Sequence, residues 1–166
     1  DMPDTPVGNW TGHWSEYASP RSHDCPIGEL PAHLHKRARA GYYGHMSHID
    51  QQINRVIWTL KEYGLLDNTC ICFTSDHGEM MGDHHMYRKG LPYEGSARIP
   101  LILVGPRGGS IVPNQQYNTV IELRDIMPTL LECAGLPIPE SVEGRSFLPV
   151  AGGKDVPDWR PYLHGE

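Results

Sequence analysis

The sequence predicts an α/β domain with a mostly parallel sheet flanked by helices. Between Pro31 and Gly64, apolar residues recur at spacings of three and four, which is typical of an amphipathic helix. Two short apolar runs, residues 69–75 and 99–106, lack that period and are typical of strands that are covered on both faces. A helical pattern follows at residues 125–135. The simplest fold for the order helix, strand, loop, strand, helix is a parallel sheet with helices on its faces.

The first two elements are a loop-rich segment and a long helix. Residues 1–30 contain several Pro and Gly and show no sustained period, which predicts loops. The helix begins after Pro31 and is closed by Gly64, and Gly41 and Gly44 are the places where it would bend. Its predicted apolar face is formed by Leu34, Ala38, Tyr42, Met46, Ile49, Ile53 and Leu60.

The remaining elements complete the α/β core, residues 31–135. The strands are "TCICFTS" and "IPLILVGP", and "NTVI" at residues 118–121 predicts a further short strand. In "DIMPTLLECAG" we expect a helix with Asp125 as its N-cap and Gly135 as its C-cap. Residues 136–166 form a tail rich in Pro and Gly, so that residues 1–166 are predicted to be a single domain.

Composition narrows the classes of partner. The chain has 166 residues, of which 39% are hydrophobic, enough for one globular core. Its formal net charge of -6 gives no broad basic surface, which argues against nucleic acid as the main partner. No run approaches the roughly 20 apolar residues of a membrane helix. Neither the compartment nor the oligomeric state follows from the sequence.

The four cysteines do not form the pattern of a disulfide framework. Cys70 and Cys72 alternate within a predicted strand, and Cys133 lies in a predicted helix. We expect buried free thiols here and at Cys25. Because Cys70 and Cys72 point to the same side of a strand, a metal or redox role is the alternative, but no Cys-x-x-Cys pair supports it.

A polar cluster directly follows the first predicted strand. The stretch "TSDHGEMMGDHHMYRKG", residues 74–90, places three imidazoles, three carboxylates and two cations around two glycines. Ligand sites of α/β sheets lie beyond the carboxyl ends of strands, so Asp76 and His77 are placed to share one metal ion. The alternative is that Asp76 caps a turn and that His77 is a hydrogen-bonded surface histidine. His84 is a weaker candidate for lining the site.

The stretch "TSDHGEMMGDHHMYRKGLPYEGSARIPLIL" resembles the C-terminal half of the catalytic domain of sulfatases, in the alkaline-phosphatase-like superfamily. Shared features are Asp-His after a strand, Gly-Asp-His shortly after it, a lysine leading into Gly-x-x-Tyr-Glu-Gly-Ser-x-Arg, and Ile-Pro before the next strand. The resemblance covers roughly residues 36–166. It implies a partial alkaline-phosphatase-like sandwich and hydrolysis of sulfate esters, in small molecules or sulfated glycans.

The resemblance also implies roles for individual residues. Asp76 and His77 would ligate a divalent cation, and Lys89 would contact the ester oxygens as a catalytic residue, with His84 beside it. Calcium is the first expectation for the metal, but an imidazole ligand shifts the preference toward manganese or zinc. Glu94 would hold the loop in place, together with Arg98.

The chain lacks two features of the family pattern. The sulfatase nucleophile, a formylglycine made from the first residue of Cys/Ser-x-Pro/Ala-x-Arg, has no counterpart in the sequence, and neither do the paired N-terminal aspartates. We therefore expect a fragment of a longer enzyme that binds metal weakly and is inactive alone. The alternatives are a phosphodiesterase or phosphonate monoester hydrolase of the same superfamily, and a non-catalytic binding domain.

Overall fold

The computed structural model describes Gly28 and residues 30–164, and it divides into two compact units. The first unit contains residues up to Trp58 together with residues 75–100, and the second contains residues 59–74 and 101–166. The predicted loops of residues 1–30 therefore fall almost entirely outside the described residues, and so does Cys25.

The long predicted helix is present as α1, Ala32–Glu62. It runs without interruption through Gly41 and Gly44, and Gly64 follows it with a φ of 67°, as expected of a residue that ends a helix. None of its residues is buried. Apolar side chains of the predicted core-facing stripe, such as Met46 and Ile49, are half exposed. The apolar period therefore predicted the helix correctly, although the described residues do not cover that stripe.

The two predicted strands are β1, Ile71–Thr74, and β2, Leu101–Val104. They pair antiparallel, with Ile71 opposite Val104 and Thr74 opposite Leu101. The parallel arrangement predicted for this pair is wrong. Parallel neighbours need a crossover connection, usually a helix, but residues 75–100 contain only a 3-10 turn, Asp83–His85, and the single-turn helix α2, Glu94–Ala97.

Two further predictions about the strands are wrong within the described residues. Neither strand is fully covered, because Phe73 is 38% exposed and Ile102 is 56% exposed. The short strand predicted at residues 118–121 does not form, since no ladder partner pairs with that segment. An apolar β-branched run is a strand only when another strand lies beside it, and sequence pattern alone does not report the neighbour.

The last predicted helix is α3, Ile126–Cys133, and it is followed by α4, Leu148–Ala151. Gly135 has a φ of 69° just after α3, as predicted. Asp125 immediately precedes α3, but its side chain makes no capping hydrogen bond to that helix. Thr129 instead joins the two helices, because its Oγ1 donates to Asp125 O at 2.6 Å and accepts from Phe147 N at 3.0 Å.

The carboxylate of Asp125 is the polar centre of the second unit. It is 0% exposed and accepts two hydrogen bonds from the Arg160 guanidinium, at 2.6 and 2.8 Å. It also accepts from the backbone N–H groups of Arg145, at 2.9 Å, and Glu122, at 3.0 Å. Every lone-pair direction of a buried carboxylate therefore has a donor, which is the condition under which burial of a charge is tolerated.

Trp159 also holds the C-terminal segment, the residues that follow α4, in place. Its Nε1 donates to Val120 O at 2.7 Å, and the guanidinium carbons of Arg145 and Arg160 lie 4.8 and 5.3 Å from the ring centroid. The indole thus packs with two cations while it ties the segment back to Val120. The residues that follow α4 are held by polar and cation–π contacts more than by apolar burial.

The described cysteines are free thiols, as predicted, but they are half-buried and not fully buried as expected. Burial raises the pKa of Cys70 to about 12, with Cys133 as a further cause, and burial also raises the pKa of Cys72. A thiol with a raised pKa is a poor nucleophile and a poor metal ligand at neutral pH. No helix in the described part of the chain is long and apolar enough to cross a membrane.

Replacing Arg160 by Ala is expected to destabilise the protein by about 3–5 kcal/mol, because it leaves the buried Asp125 carboxylate without its bidentate cation. The free energy of unfolding from denaturant titration measures the loss. Arg107→Ala is the matched control, since the Arg107 ion pair with Asp67 lies at the surface and such pairs contribute at most about 1 kcal/mol. Equal losses in both variants would contradict this assignment.

The same carboxylate should make stability fall in acid. Desolvation raises the pKa of Asp125, but the hydrogen bonds from Arg160, Arg145 N and Glu122 N outweigh it, so that the folded-state pKa lies below the ordinary value. Its stabilisation is present above the unfolded pKa, about 3.9, and is lost as pH falls through the lower folded pKa. Urea titrations at several pH values below about 5 should show a shallower pH slope in Asp125→Asn than in wild type.

Candidate functional site

The loop after β1 begins with a backbone contact that only glycine allows. Gly78 N donates to Ser96 O at 2.7 Å, and a Cβ built on Gly78 would lie 2.2 Å from Gly95 O. A backbone oxygen cannot turn aside as a flexible side chain can, so residue 78 must be glycine for the loop to meet α2 this closely. The chain direction just after His77 is fixed by this contact.

The loop then closes on itself around a small apolar core. Met80 N donates to Arg88 O at 2.8 Å, and Gly82 N donates to Met86 O at 2.7 Å. The side chains of Met80 and Met86 are 2% and 0% exposed and pack with Leu91 and Tyr93. The loop therefore has a hydrophobic centre and a backbone ladder of its own. Four of its non-glycine residues have positive φ, namely Met81, His84, His85 and Arg88.

Helix α1 supports the loop through His35. Nε2 of His35 lies 2.8 Å from Met81 O and donates to it, since a carbonyl oxygen only accepts. Gly82, with a φ of 91°, leaves room for this imidazole, because a Cβ there would lie 2.5 Å from His35 Nε2. His35 thus acts as a brace between the first turn of α1 and the loop.

Three of the predicted site residues lie together. Nζ of Lys89 is 2.7 Å from Nε2 of His77, and Oδ2 of Asp76 is 3.6 Å from the same nitrogen. Nδ1 of His77 lies 2.7 Å from Gly78 O and donates to it. The proton is thereby placed on Nδ1, so that Nε2 carries a lone pair and accepts a hydrogen bond from the lysine.

Asp76 is the exposed member of this cluster. Its side chain is 81% exposed, against 38% for His77. Desolvation raises the pKa of Asp76, but the His77 imidazole, the hydrogen bonds from backbone N–H groups and the charge of Lys89 together lower it. The carboxyl group is therefore ionised at neutral pH and offers oxygens to a cation from solvent.

The geometry of Asp76 and His77 suits a shared cation. Two ligands bound at roughly 2.1 to 2.4 Å to one divalent ion lie about 3.4 Å apart at common coordination angles. The observed separation of Oδ2 and Nε2 is 3.6 Å. A carbonyl that accepts from Nδ1 is also the usual partner of a metal-ligating imidazole. These two donors fit a divalent ion, although the described residues contain no group of three or more His, Cys, Asp or Glu that could hold one.

Lys89 and a metal ion would require the same lone pair. Nε2 of neutral His77 has one lone pair, and in this structure it accepts from Lys89 Nζ. A cation on His77 would displace the Lys89 ammonium from Nε2, and the ammonium could then bind an anion. Half-buried Lys89 is therefore placed to bind either the imidazole or an oxyanion beside it.

The fourth predicted site residue is placed differently. The His84 ring packs on Tyr93 with its centroid 4.6 Å away, and its backbone has a φ of 51°. The predicted pair of Glu94 and Arg98 forms within α2 at 3.6 Å, with both side chains 82% exposed. Such a surface pair contributes little to holding the loop.

Two supporting residues were not singled out from the sequence. Oε1 of Glu79 accepts from Met81 N at 3.2 Å and also from Arg88 N, while His35 holds Met81 O. For Glu79 the sequence offered only its place in the polar cluster, because the positive φ of Met81 and Arg88 is visible only in the structure. His35 gave no signal, because its partner is 46 residues away in the sequence.

Comparison with known proteins places these residues within a recognised domain. The family model described as Sulfatase matches residues 7–136. An arylsulfatase of Clostridium perfringens is 44% identical over the whole chain, which corresponds to 34% of that protein. A phosphonate monoester hydrolase from Silicibacter pomeroyi superposes with a TM-score of 0.76 and 35% identity, over 93% of this chain and 30% of its own.

A third relative has been solved in complex with its substrate, D-glucosamine-2-N,6-O-disulfate. It superposes with a TM-score of 0.62 and 34% identity, and the match covers 68% of this chain and 23% of that chain. The chain thus spans at most about a third of the length of these relatives. The likeness confirms the alkaline-phosphatase-like α/β fold in partial form.

Gly78→Ala is expected to destabilise the protein by roughly 1–3 kcal/mol and to displace His77, because the new Cβ meets Gly95 O. Gly44→Ala is the matched control, since no described atom lies within 4 Å of its Cβ position and alanine is favoured over glycine inside a helix by about 1 kcal/mol. Thermal unfolding of both variants tests this. A Gly78→Ala variant as stable as Gly44→Ala would show that the close approach is absent.

Proposed function

Because this chain belongs to the sulfatase family, we propose that it forms part of a metal-dependent hydrolase of sulfate esters, in which Asp76 and His77 are metal ligands and Lys89 contacts the ester. The observation that supports this is the convergence of a carboxylate oxygen at 3.6 Å and an ammonium at 2.7 Å on the same imidazole nitrogen, Nε2 of His77. The whole protein's activity is part of the proposal, since the chain spans a third or less of its relatives.

Each of the three residues has a distinct task. The Asp76 carboxylate supplies charge, and the His77 imidazole supplies a directed lone pair that is held by Gly78 O. Lys89 holds an ammonium where negative charge on the ester oxygens would be stabilised. A divalent cation, when bound, would polarise those oxygens as a Lewis acid. His84 is proposed to line the substrate side of the site through its packing on Tyr93.

Metal identity is also a proposal. Calcium is the first choice, with manganese and zinc as alternatives because of the imidazole ligand. Calcium binds six to eight oxygen ligands, whereas Asp76 and His77 supply two donor side chains. Residues 1–166 alone are therefore proposed to bind the cation weakly and to be inactive without a formylglycine nucleophile supplied from outside this chain.

Sulfated sugars are a candidate substrate class, because one solved relative binds a disulfated glucosamine as its substrate. A second candidate function is hydrolysis of phosphonate monoesters. It is favoured by the superposition on the phosphonate monoester hydrolase, whose match covers 93% of this chain. Sulfate and phosphonate esters both present anionic oxygens to a cation and a lysine, so Asp76, His77 and Lys89 do not discriminate between them.

Lys89→Ala in the full gene product should lower kcat/KM for p-nitrophenyl sulfate by roughly 100- to 1,000-fold, because it removes one donor to the developing charge. Asp76→Ala and His77→Ala should also lose bound metal, measured by elemental analysis after dialysis, whereas Lys89→Ala should keep it. Lys154→Ala, at an exposed lysine of the second unit, is the control and should keep full activity.

The same assays with a p-nitrophenyl phosphonate monoester would separate the two candidate functions. Faster turnover of the sulfate supports a sulfatase, and faster turnover of the phosphonate supports the second candidate. If neither ester is hydrolysed by the metal-loaded gene product, the catalytic proposal is wrong and a binding role remains.

A further inference from the structure

Glu79 lies between the proposed metal ligands and Lys89, and its contacts are with backbone. Oε1 accepts from Met81 N at 3.2 Å and from Arg88 N, so that one carboxylate oxygen joins two N–H groups from opposite sides of the loop. A single oxygen can accept from both donors only if its side chain is long enough to reach between them. This oxygen therefore acts as the clasp of the loop.

The clasp acts on a segment whose backbone conformation is unfavourable for most residues. Arg88 has a φ of 67° and Gly90 a φ of 124°, so Lys89 is flanked by two residues with positive φ. A non-glycine residue keeps such a conformation only when its surroundings impose it. Arg88 is held through both backbone groups, its N–H by Glu79 and its C=O by Met80 N at 2.8 Å.

The clasp faces α1 across a cavity. Glu79, Arg39 and Tyr42 line this cavity of about 190 Å³, together with Met81 and Tyr87. Burial and then the charge of Glu79 raise the pKa of Tyr42, which agrees with a carboxylate that faces this helix. The two loop N–H groups are therefore the contacts that hold the Glu79 carboxylate.

We propose that Glu79 is a positioning residue for the reaction: by holding Met81 N and Arg88 N on one oxygen, it directs Lys89 toward His77 and toward a bound ester. The inference rests on the proposed role of Lys89. Glu79 itself needs no contact with substrate or metal, since it acts through the backbone of Arg88. The lysine side chain is long and flexible, so a fixed backbone at its base limits the positions that its ammonium can take.

Two conservative variants separate this role from a general need for negative charge. Glu79→Gln keeps an oxygen at the same reach, which can accept both N–H groups, but removes the charge. Glu79→Asp keeps the charge but shortens the side chain by one methylene, so that it cannot reach both donors. We expect Glu79→Gln to stay within roughly threefold of wild-type kcat, and Glu79→Asp to lose roughly 10- to 100-fold in kcat with little change in KM.

The reverse order, with Glu79→Asp active and Glu79→Gln impaired, would overturn the proposal, because charge and not reach would then matter. Equal activity of both variants and wild type would overturn it as well. Thermal unfolding of each variant is measured beside the kinetics. A purely structural residue would lower stability without the fall in kcat at constant KM.

A second measurement does not depend on the reaction. In the gene product kept free of metal by a chelator, ¹⁵N labelling of histidine reports the tautomer of His77, with its signal assigned by its loss in His77→Asn. Wild type and Glu79→Gln should show the proton on Nδ1 and an accepting Nε2, whereas Glu79→Asp should lose the Lys89 hydrogen bond at Nε2.

The two proposals can therefore fail separately. If wild type shows no esterase activity but the Nε2 hydrogen bond is kept in Glu79→Gln and lost in Glu79→Asp, the proposed function fails and the positioning role of Glu79 stands. If Lys89→Ala is inactive but Glu79→Asp keeps both the Nε2 hydrogen bond and the kcat of wild type, the function stands and the positioning role is wrong.

Discussion

The close approach of Gly78 to Gly95 and Ser96 is the constraint on which the site depends. Two backbones meet where a single methyl group would lie 2.2 Å from a carbonyl oxygen, and the hydrogen bond from Gly78 N to Ser96 O replaces side-chain packing there. Once that peptide is fixed, Gly78 O can accept from His77 Nδ1. Ser75 Oγ holds the other side of the same residue by donating to His77 O at 2.7 Å. The ring of His77 is thus oriented by the Gly78 carbonyl on one nitrogen and by Lys89 on the other.

Charge balance explains why the cluster contains a lysine. The ionised Asp76 and the lone pair of His77 are two acceptors whose atoms lie 3.6 Å apart, and they need a positive partner between or beside them. In this structure the partner is Lys89, at 2.7 Å from Nε2. An acceptor pair of this kind can exchange an ammonium for a metal ion, because both satisfy the same lone pair. With a metal ion on His77, the lysine would be able to bind an incoming anion, and metal binding would then change the position of Lys89.

Sequence analysis correctly predicted the features that depend on residues close together in the chain. The apolar period predicted α1 to within two residues of Ala32 and Glu62, and the left-handed Gly135 marked the end of α3. It did not predict the features that depend on a contact with a residue far away in the sequence. Nothing at residues 69–75 indicates that β1 runs antiparallel to β2. Asp125 takes the N-cap position of α3, as predicted, but its side chain binds Arg160, 35 residues away, and does not cap the helix. The same holds for the candidate site. The Asp-His motif is visible in the sequence, whereas the contact of His35 with Met81, 46 residues away, is not.

The two units differ in what stabilises them, and the difference bears on function. In the second unit a buried carboxylate has all its donors, and such a network resists rearrangement because any movement leaves a charge unpaired. The loop of the first unit has two buried methionines, several positive-φ residues and one carboxylate that holds two N–H groups. The loop of the first unit is held by local contacts, namely its backbone ladder and the hydrogen bond from His35, and not by a buried ion pair. Under the proposed function these contacts would keep Lys89 beside His77, whereas those of the second unit serve stability.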